Sequence, residues 1–292
     1  STGAALLQLD EDNLWKALDC LPRLTSNGGG SAWTYDLIKT LIKGDAGMIE
    51  LTLSLFNSML EGKGGRYSAL WTRARLVPLK KSSGGLRPIA VGEAWLRLLG
   101  RAVALKVSPD LGPPMLPFQF GVGVGGGSEA IVHSLQLTKR IAIHQASQQP
   151  PPLDPLVILS VDFANAFNTI RRHAMAQALT SRAPQLLAFF HWAYSGESPL
   201  HLSSGVSIAS SATGVRQGDP LGPLFFCLGL QQALERVHMS MPSVSPLCYM
   251  DDTYLVGPKS HVVAAFHDFA VECRETLGLE VNHGKCIFYD AA

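Results

Sequence analysis

Two adjacent carboxylates, Asp251 and Asp252, lie between apolar stretches, Leu247 to Met250 and Thr253 to Val256. That pattern predicts a hairpin with the acids in its turn. Apolar flanks desolvate both acids, and their repulsion makes one take up a proton unless a cation neutralises the pair. Hard oxygen ligands of this kind suit Mg²⁺. A third acid, Asp162, ends the apolar run Leu156 to Val161. If that run lies beside the Tyr249 strand, three carboxylates converge. Two-metal phosphoryl transfer requires such a set, with ions roughly 3.5–4 Å apart clamping the attacking and leaving oxygens. Each acid alone also has a plainer reading: a polar turn for Asp251-Asp252 and a helix N-cap for Asp162.

The elements that must position these acids are readable from periodicity and turn residues. The N-terminal region reads as helices: Asp12 to Leu21, one capped by Ser31 and running through Ile42, and one from Ala46 to Leu60. Ala74 to Leu79 and Leu86 to Val91 form a hairpin with a basic, glycine-rich tip, followed by a helix from Trp95 to Val107. The Pro/Gln-rich stretch 145–155 reads as the seam between two lobes. Beyond it the order is a strand to Val161, a helix from Ala166 to Leu179, a hairpin around Ser204-Gly205, a helix opened by Pro220, the Asp251 hairpin, a helix from Ser260 to Leu277 and a strand from Cys286 to Tyr289. This is an α+β pattern, an antiparallel sheet with helices packed on one face.

Several motifs resemble those of reverse transcriptases. VDFANAFNTI (161–170), GVRQGDPLGP (214–223) and YMDD (249–252) follow the order and spacing of motifs A, B and C of that family. LVPLKKSSGGLRPIAV (76–91) resembles its fingers hairpin, and GLEVNHGKCIF (278–288) its motif D. QFGVGVGGGSEAIVHSL (119–135) is similar to the segment between fingers and palm in non-LTR, LINE-type elements, with a weaker match at GGGSAWTYDLIKTL (28–41). The resemblance covers about residues 28–289. It implies right-hand polymerase fingers (about 1–150) and palm (about 151–292) in a single reverse transcriptase domain. The implied activity is RNA-directed DNA synthesis, with an RNA template, a DNA primer, dNTPs and two Mg²⁺ ions, Mn²⁺ being the alternative.

Roles carry over by position. Asp162 would bind both ions with the backbone carbonyl of Phe163, Asp251 would be the other main ligand, and Asp252 a supporting one. Phe167 matches the steric gate that excludes a 2′-hydroxyl, although a helix-core phenylalanine has the same appearance. Lys80 (or Lys81) and Arg87 would hold the triphosphate, Gln217 and Gly218 would lie against nucleotide and template with Arg216 near a phosphate, and Lys285 would protonate pyrophosphate. Met250, Asn168 and Gly222 stand where many relatives have Ala, Asp and Ser; none is a proposed ligand. The chain ends just after motif D, so no thumb is expected and the sequence reads as an excised domain or a fragment.

Composition bounds the alternatives. The chain has 292 residues, 47% of them hydrophobic and 16% charged, enough for a large core and too few charges for a disordered chain. No apolar run reaches the roughly 18–20 residues that span a bilayer, and the acidic N-terminal stretch is no signal peptide. Five cysteines without a C-x-x-C pair fit neither a disulfide framework nor a zinc finger and indicate a reducing, intracellular setting; nuclear action is what the resemblance adds. Net charge is +1, but Arg66 to Lys106 carries +8 and the remainder −7, as befits one lobe for phosphates and another for cations. Gly121-x-Gly123-x-x-Gly126 fits a dinucleotide fingerprint but follows no clean strand and has no acid some 20 residues on; a flexible hinge before a helix capped by Ser128 is expected instead. Oligomeric state is not legible. The competing functions are an RNA-dependent RNA polymerase or terminal transferase on the same palm, and a decayed or domesticated element kept as a nucleic-acid-binding or protein-interaction module without catalysis.

Overall fold

The computed structural model describes residues 6–22, 29–80 and 84–290. Its chain forms two compact units, each discontinuous in sequence: residues 1–107 with 179–225, and 108–178 with 226–292. The expected seam at 145–155 does not fall there. The helix before it and the strand after it both belong to the second unit and pack on each other.

In the first unit, α1 (Glu11–Asp19), α2 (Tyr35–Gly44), α3 (Ala46–Leu60) and α4 (Ser68–Thr72) precede the hairpin of β1 (Ala74–Lys80) and β2 (Leu86–Gly92) and the start of α5 (Ala94–Leu111). Asp10 opens α1 through a capping box, its side chain accepting from the Asn13 N–H and its own N–H donating to Asn13. Thr34, not Ser31, caps α2. Ser31 and Gly30 are held instead by buried Glu93, which accepts from the Gly30 N–H at 2.7 Å and the Ser31 N–H at 3.1 Å and pairs with Arg73 Nε at 2.9 Å. Leu14, Leu18, Ile38, Ile42, Phe56 and Leu60 are buried, each stabilising the unit by about 1.5–3 kcal/mol relative to exposure.

The second unit contains α6 (Gly127–Ala146), β3 (Leu156–Val161) and α7 (Ala166–Thr169), and most of α8 (Arg172–Arg182). The helix expected from Ala166 to Leu179 breaks between α7 and α8, where the Arg171 N–H donates to the Leu277 carbonyl at 2.7 Å. Ser128 lies inside the first turn of α6, bonded to Glu129, so it does not cap that helix.

The chain then supplies the first unit with α9 (Leu187–Tyr194), β4 (Ser198–His201) and β5 (Ser207–Ser211). β4 pairs parallel with β1, giving a sheet ordered β2-β1-β4-β5. The hairpin around Gly205 therefore joins the fingers-type hairpin, not the sheet that carries Asp162. After α10 (Gly222–Ser240), which begins beyond Pro220 on a turn held by Asp219, come β6 (Ser245–Tyr249), β7 (Asp252–Pro258), α11 (Lys259–Glu272) and β8 (Ile287–Tyr289). They complete an antiparallel sheet ordered β6-β7-β3-β8, with α6 and α11 packed on it. Its core includes Val157, Leu159, Val161, Leu255 and Phe269.

Candidate active site

The register of the second sheet brings Asp162 and Asp252 together. Val161 pairs with Thr253, so the next rung sets Asp162, just past β3, across from Asp252, the first residue of β7. The β6–β7 ladder closes at Tyr249 opposite Asp252. The connection is therefore Met250-Asp251, one residue earlier than the expected Asp251-Asp252 turn. Met250 has φ 58°, a left-handed conformation uncommon for a residue with a side chain.

Buried polar groups lock that connection. Gln119, fully buried, accepts from the Met250 N–H at 2.8 Å and donates to the Met250 carbonyl at 3.2 Å. Cys248 Sγ donates to the same carbonyl at 3.0 Å, and Thr253 Oγ1 to the Asp251 carbonyl at 3.3 Å. Burial pushes the Cys248 thiol up to about 12, so it stays protonated and can donate. Gly121 packs so closely that an added Cβ would lie 2.6 Å from the Met250 nitrogen. The glycine stretch is thus close-packed at its start, not the flexible hinge expected from sequence.

Asp162 is fixed through its backbone: its carbonyl accepts from the Asn282 N–H at 2.8 Å, and the Ala164 N–H donates to the Glu280 carbonyl at 2.8 Å. These bonds form a bridge between Phe163 and Val281 that leaves Phe163's own carbonyl out. Asp162 Oδ1 is buried and has no hydrogen-bond partner. Burial and then the Asp162 charge hold the Asp252 carboxyl above the usual aspartate range. An orphaned buried carboxylate oxygen beside a second acid of raised pKa is a cation-seeking arrangement, and its hard oxygens match a divalent ion. Among the described residues, however, no three His, Cys, Asp or Glu side chains form a finished ion site. The close pair is Asp162–Asp252, with Asp251 on the adjoining connection.

Phe167, half-buried on α7, stacks on Phe226 with centroids 4.6 Å apart. Lys285 is exposed on the turn His283–Lys285.

In the first unit, Lys80 and Arg87 are both exposed near the end of the hairpin. Lys80 pairs with Leu86, and Arg87 with Leu79. Strand alternation then sends Lys80 and Arg87 to opposite faces of the ribbon. Lys81, the alternative, lies outside the described residues. The Gln217 carbonyl accepts from the Ala90 N–H at 2.8 Å, stitching this turn to β2, and Gln217 Oε1 is buried without a partner. Gly218 has φ 128°, and a Cβ there would lie 2.5 Å from the Ala90 carbonyl oxygen.

Arg216, expected near a phosphate, is 5% exposed and committed internally. It donates to Ser198 Oγ at 2.8 Å and the Ala193 carbonyl at 3.2 Å, pairs with Asp219 at 3.3 Å and lies 4.2 Å over the Tyr194 ring. The basic run is likewise partly structural: besides Arg73, Arg97 donates to Tyr35 and Arg101 to the Cys20 carbonyl, and Lys106 reaches Asn13 and Asp10.

The α+β fold places acids at the end of one strand and on the hairpin of its neighbour, the arrangement expected of a reverse transcriptase palm. The family model described as reverse transcriptase (RNA-dependent DNA polymerase) matches residues 79–291, and the chain belongs to that family. Members of the family generally work with divalent metal ions. A curated relative, the retrotransposable element SLACS 132 kDa protein of Trypanosoma brucei gambiense, is 26% identical over 88% of this chain, which spans 21% of the relative's length. In fold the chain is similar to apo telomerase from Candida tropicalis truncated from its C-terminal domain (TM-score 0.55, 11% identity, 75% of this chain, 50% of that one). It is also similar to Candida tropicalis telomerase in complex with a fragment of telomeric RNA (TM-score 0.52, 12% identity, 75% of this chain, 41% of that one). No helix among the described residues is long and apolar enough to cross a membrane.

Proposed function

We propose that this chain is the polymerising part of a retrotransposon reverse transcriptase, extending a DNA primer on an RNA template with dNTPs. The observation that carries the reading is the orphaned Asp162 oxygen set across the ladder from Asp252 in a chain of this family. Asp162, the free carbonyl of Phe163, Asp252 and, by turning in from its connection, Asp251 would hold two Mg²⁺ ions, or Mn²⁺ in their place. Ions there would neutralise charge on the phosphate under attack by the primer 3′-hydroxyl. The chain's own contribution is placement, because β3 and the β6–β7 connection hold the ligands before substrate arrives.

The other roles rest on the family resemblance. Phe167, braced by Phe226, presents its remaining face to the sugar and excludes a 2′-hydroxyl. Arg87 takes the triphosphate in a fork that a lysine cannot reproduce, and Lys80 contributes only as a separate charge. Gln217 keeps an unpaired amide oxygen for nucleotide or template, with Gly218 allowing close approach. Lys285, exposed on its turn, is the acid for departing pyrophosphate. A nuclear place of action is what the same kinship implies.

Primer extension on an RNA template with dNTPs and Mg²⁺ tests the reading. Wild type extends and Asp251→Asn does not, while Phe167→Ala gains use of NTPs. Equal extension by Asp251→Asn refutes the carboxylate assignment, and an unchanged preference in Phe167→Ala refutes the gate.

A further inference from the structure

We infer that Gln119 is a positioning residue for catalysis: its buried amide sets the conformation of the Met250-Asp251 connection and so the placement of Asp251 and Asp252, the carboxylates that follow Met250. This rests on the polymerase reading above. A glutamine amide offers two donor and two acceptor positions, and Gln119 uses all four. Nε2 donates to the Met250 carbonyl at 3.2 Å and to Cys248 Sγ at 3.3 Å. Oε1 accepts from the Met250 N–H at 2.8 Å and from the Gly121 N–H at 3.0 Å.

The residue is fully buried, where an unsatisfied amide would be costly. Its main chain is also tied to the same strand, with Phe120 N–H to the Cys248 carbonyl and Cys248 N–H to the Phe118 carbonyl, both at 2.7 Å. Residues 118–120 thereby add a short rung to the outer edge of β6. The clamp grips both backbone polar groups of Met250, the residue at φ 58°. A left-handed conformation in a side-chain-bearing residue persists where its surroundings over-determine it. Gln119 supplies that determination, with Gly121 packed closely beside it against the same Met250 nitrogen.

The test is Gln119→Met, similar in length and without hydrogen-bonding groups, in the full chain. Native-state hydrogen exchange of the metal-free protein should show the Met250 amide losing protection while the β3–β7 ladder keeps its own. Per folded molecule, kcat should fall on the order of 10²-fold, the cost of misplacing reacting groups by about 1 Å, with KM for dNTP and primer–template unchanged. Adding Met250→Gly should recover part of that loss, because glycine adopts positive φ without a clamp. If Gln119→Met does not fold, Gly121→Ala presses on the same Met250 nitrogen and should give the same kcat loss and exchange signature. Unchanged exchange at Met250, or wild-type kcat, overturns the proposal. Asp251→Asn runs alongside: if it is inactive while the Gln119 variant has wild-type kcat, only the clamp falls, whereas an active Asp251→Asn overturns the polymerase reading itself.

Discussion

Asp162 and Asp252 share a partly desolvated site, and burial first, then the Asp162 charge, raise the Asp252 pKa in the metal-free protein. The sign follows from linkage. A carboxyl whose folded pKa lies above its unfolded value contributes stability while protonated, below the ordinary aspartate range, and loses it as pH rises through the raised value. Asp252→Asn should therefore stabilise the metal-free protein at neutral pH and lose that advantage in acid. Asp252 is exposed as a residue, so screening keeps the gain small, about 1–3 °C in Tm. Mg²⁺ should raise the wild-type Tm and do less for the variant, which lacks one of the proposed ligands. Thermal unfolding with and without Mg²⁺ across pH checks both; a variant less stable than wild type at neutral pH without metal would contradict the repulsion.

Two arginines in neighbouring elements look alike in sequence and differ in work. Arg216 is enclosed by Ser198, Ala193, Tyr194 and Asp219, whereas Arg87 is exposed on β2. Arg216→Leu strands the largely buried Asp219 and should destabilise the protein by roughly 3–5 kcal/mol in urea unfolding. Arg87→Ala should stay within about 0.5 kcal/mol of wild type while raising KM for dNTP. An Arg216 variant of wild-type stability would show the cluster to be weak. Gly218→Ala meets both a positive φ and the Ala90 carbonyl, and should cost about 1–3 kcal/mol.

Local signals made much of this legible. Alternation and turn residues marked β1–β2 and β6–β7, and an acid closing an apolar run marked Asp162. What stayed hidden is non-local. Gln119 meets Met250 across 131 positions, β4 joins β1 from more than a hundred residues away, and the break before α8 is set by Leu277. The sequence also shows that an arginine is present without showing that its fork is already filled, which is why Arg216 read as a phosphate contact.

At the scale of the molecule, near-neutral net charge conceals a basic stretch, and the fold uses part of it internally. Arg73, Arg97, Arg101 and Lys106 hold other elements, while Lys80 and Arg87 remain exposed. RNA affinity should accordingly fall with salt less steeply than phosphate contacts from the whole basic stretch would require. Replacing Lys80 or Arg87 should reduce the log–log slope by about 0.7–0.9 each, and replacing Arg101 should leave it unchanged.

The same molecule could grip nucleic acid without copying it, and one experiment separates the two. Primer–template affinity and single-turnover dNTP addition should be measured on the same preparations of wild type and Asp162→Asn in Mg²⁺. A catalytic carboxylate predicts similar affinity for both proteins and dNTP addition by wild type alone. Equal addition by the variant, or binding without addition by wild type as well, would contradict a polymerase centred on Asp162.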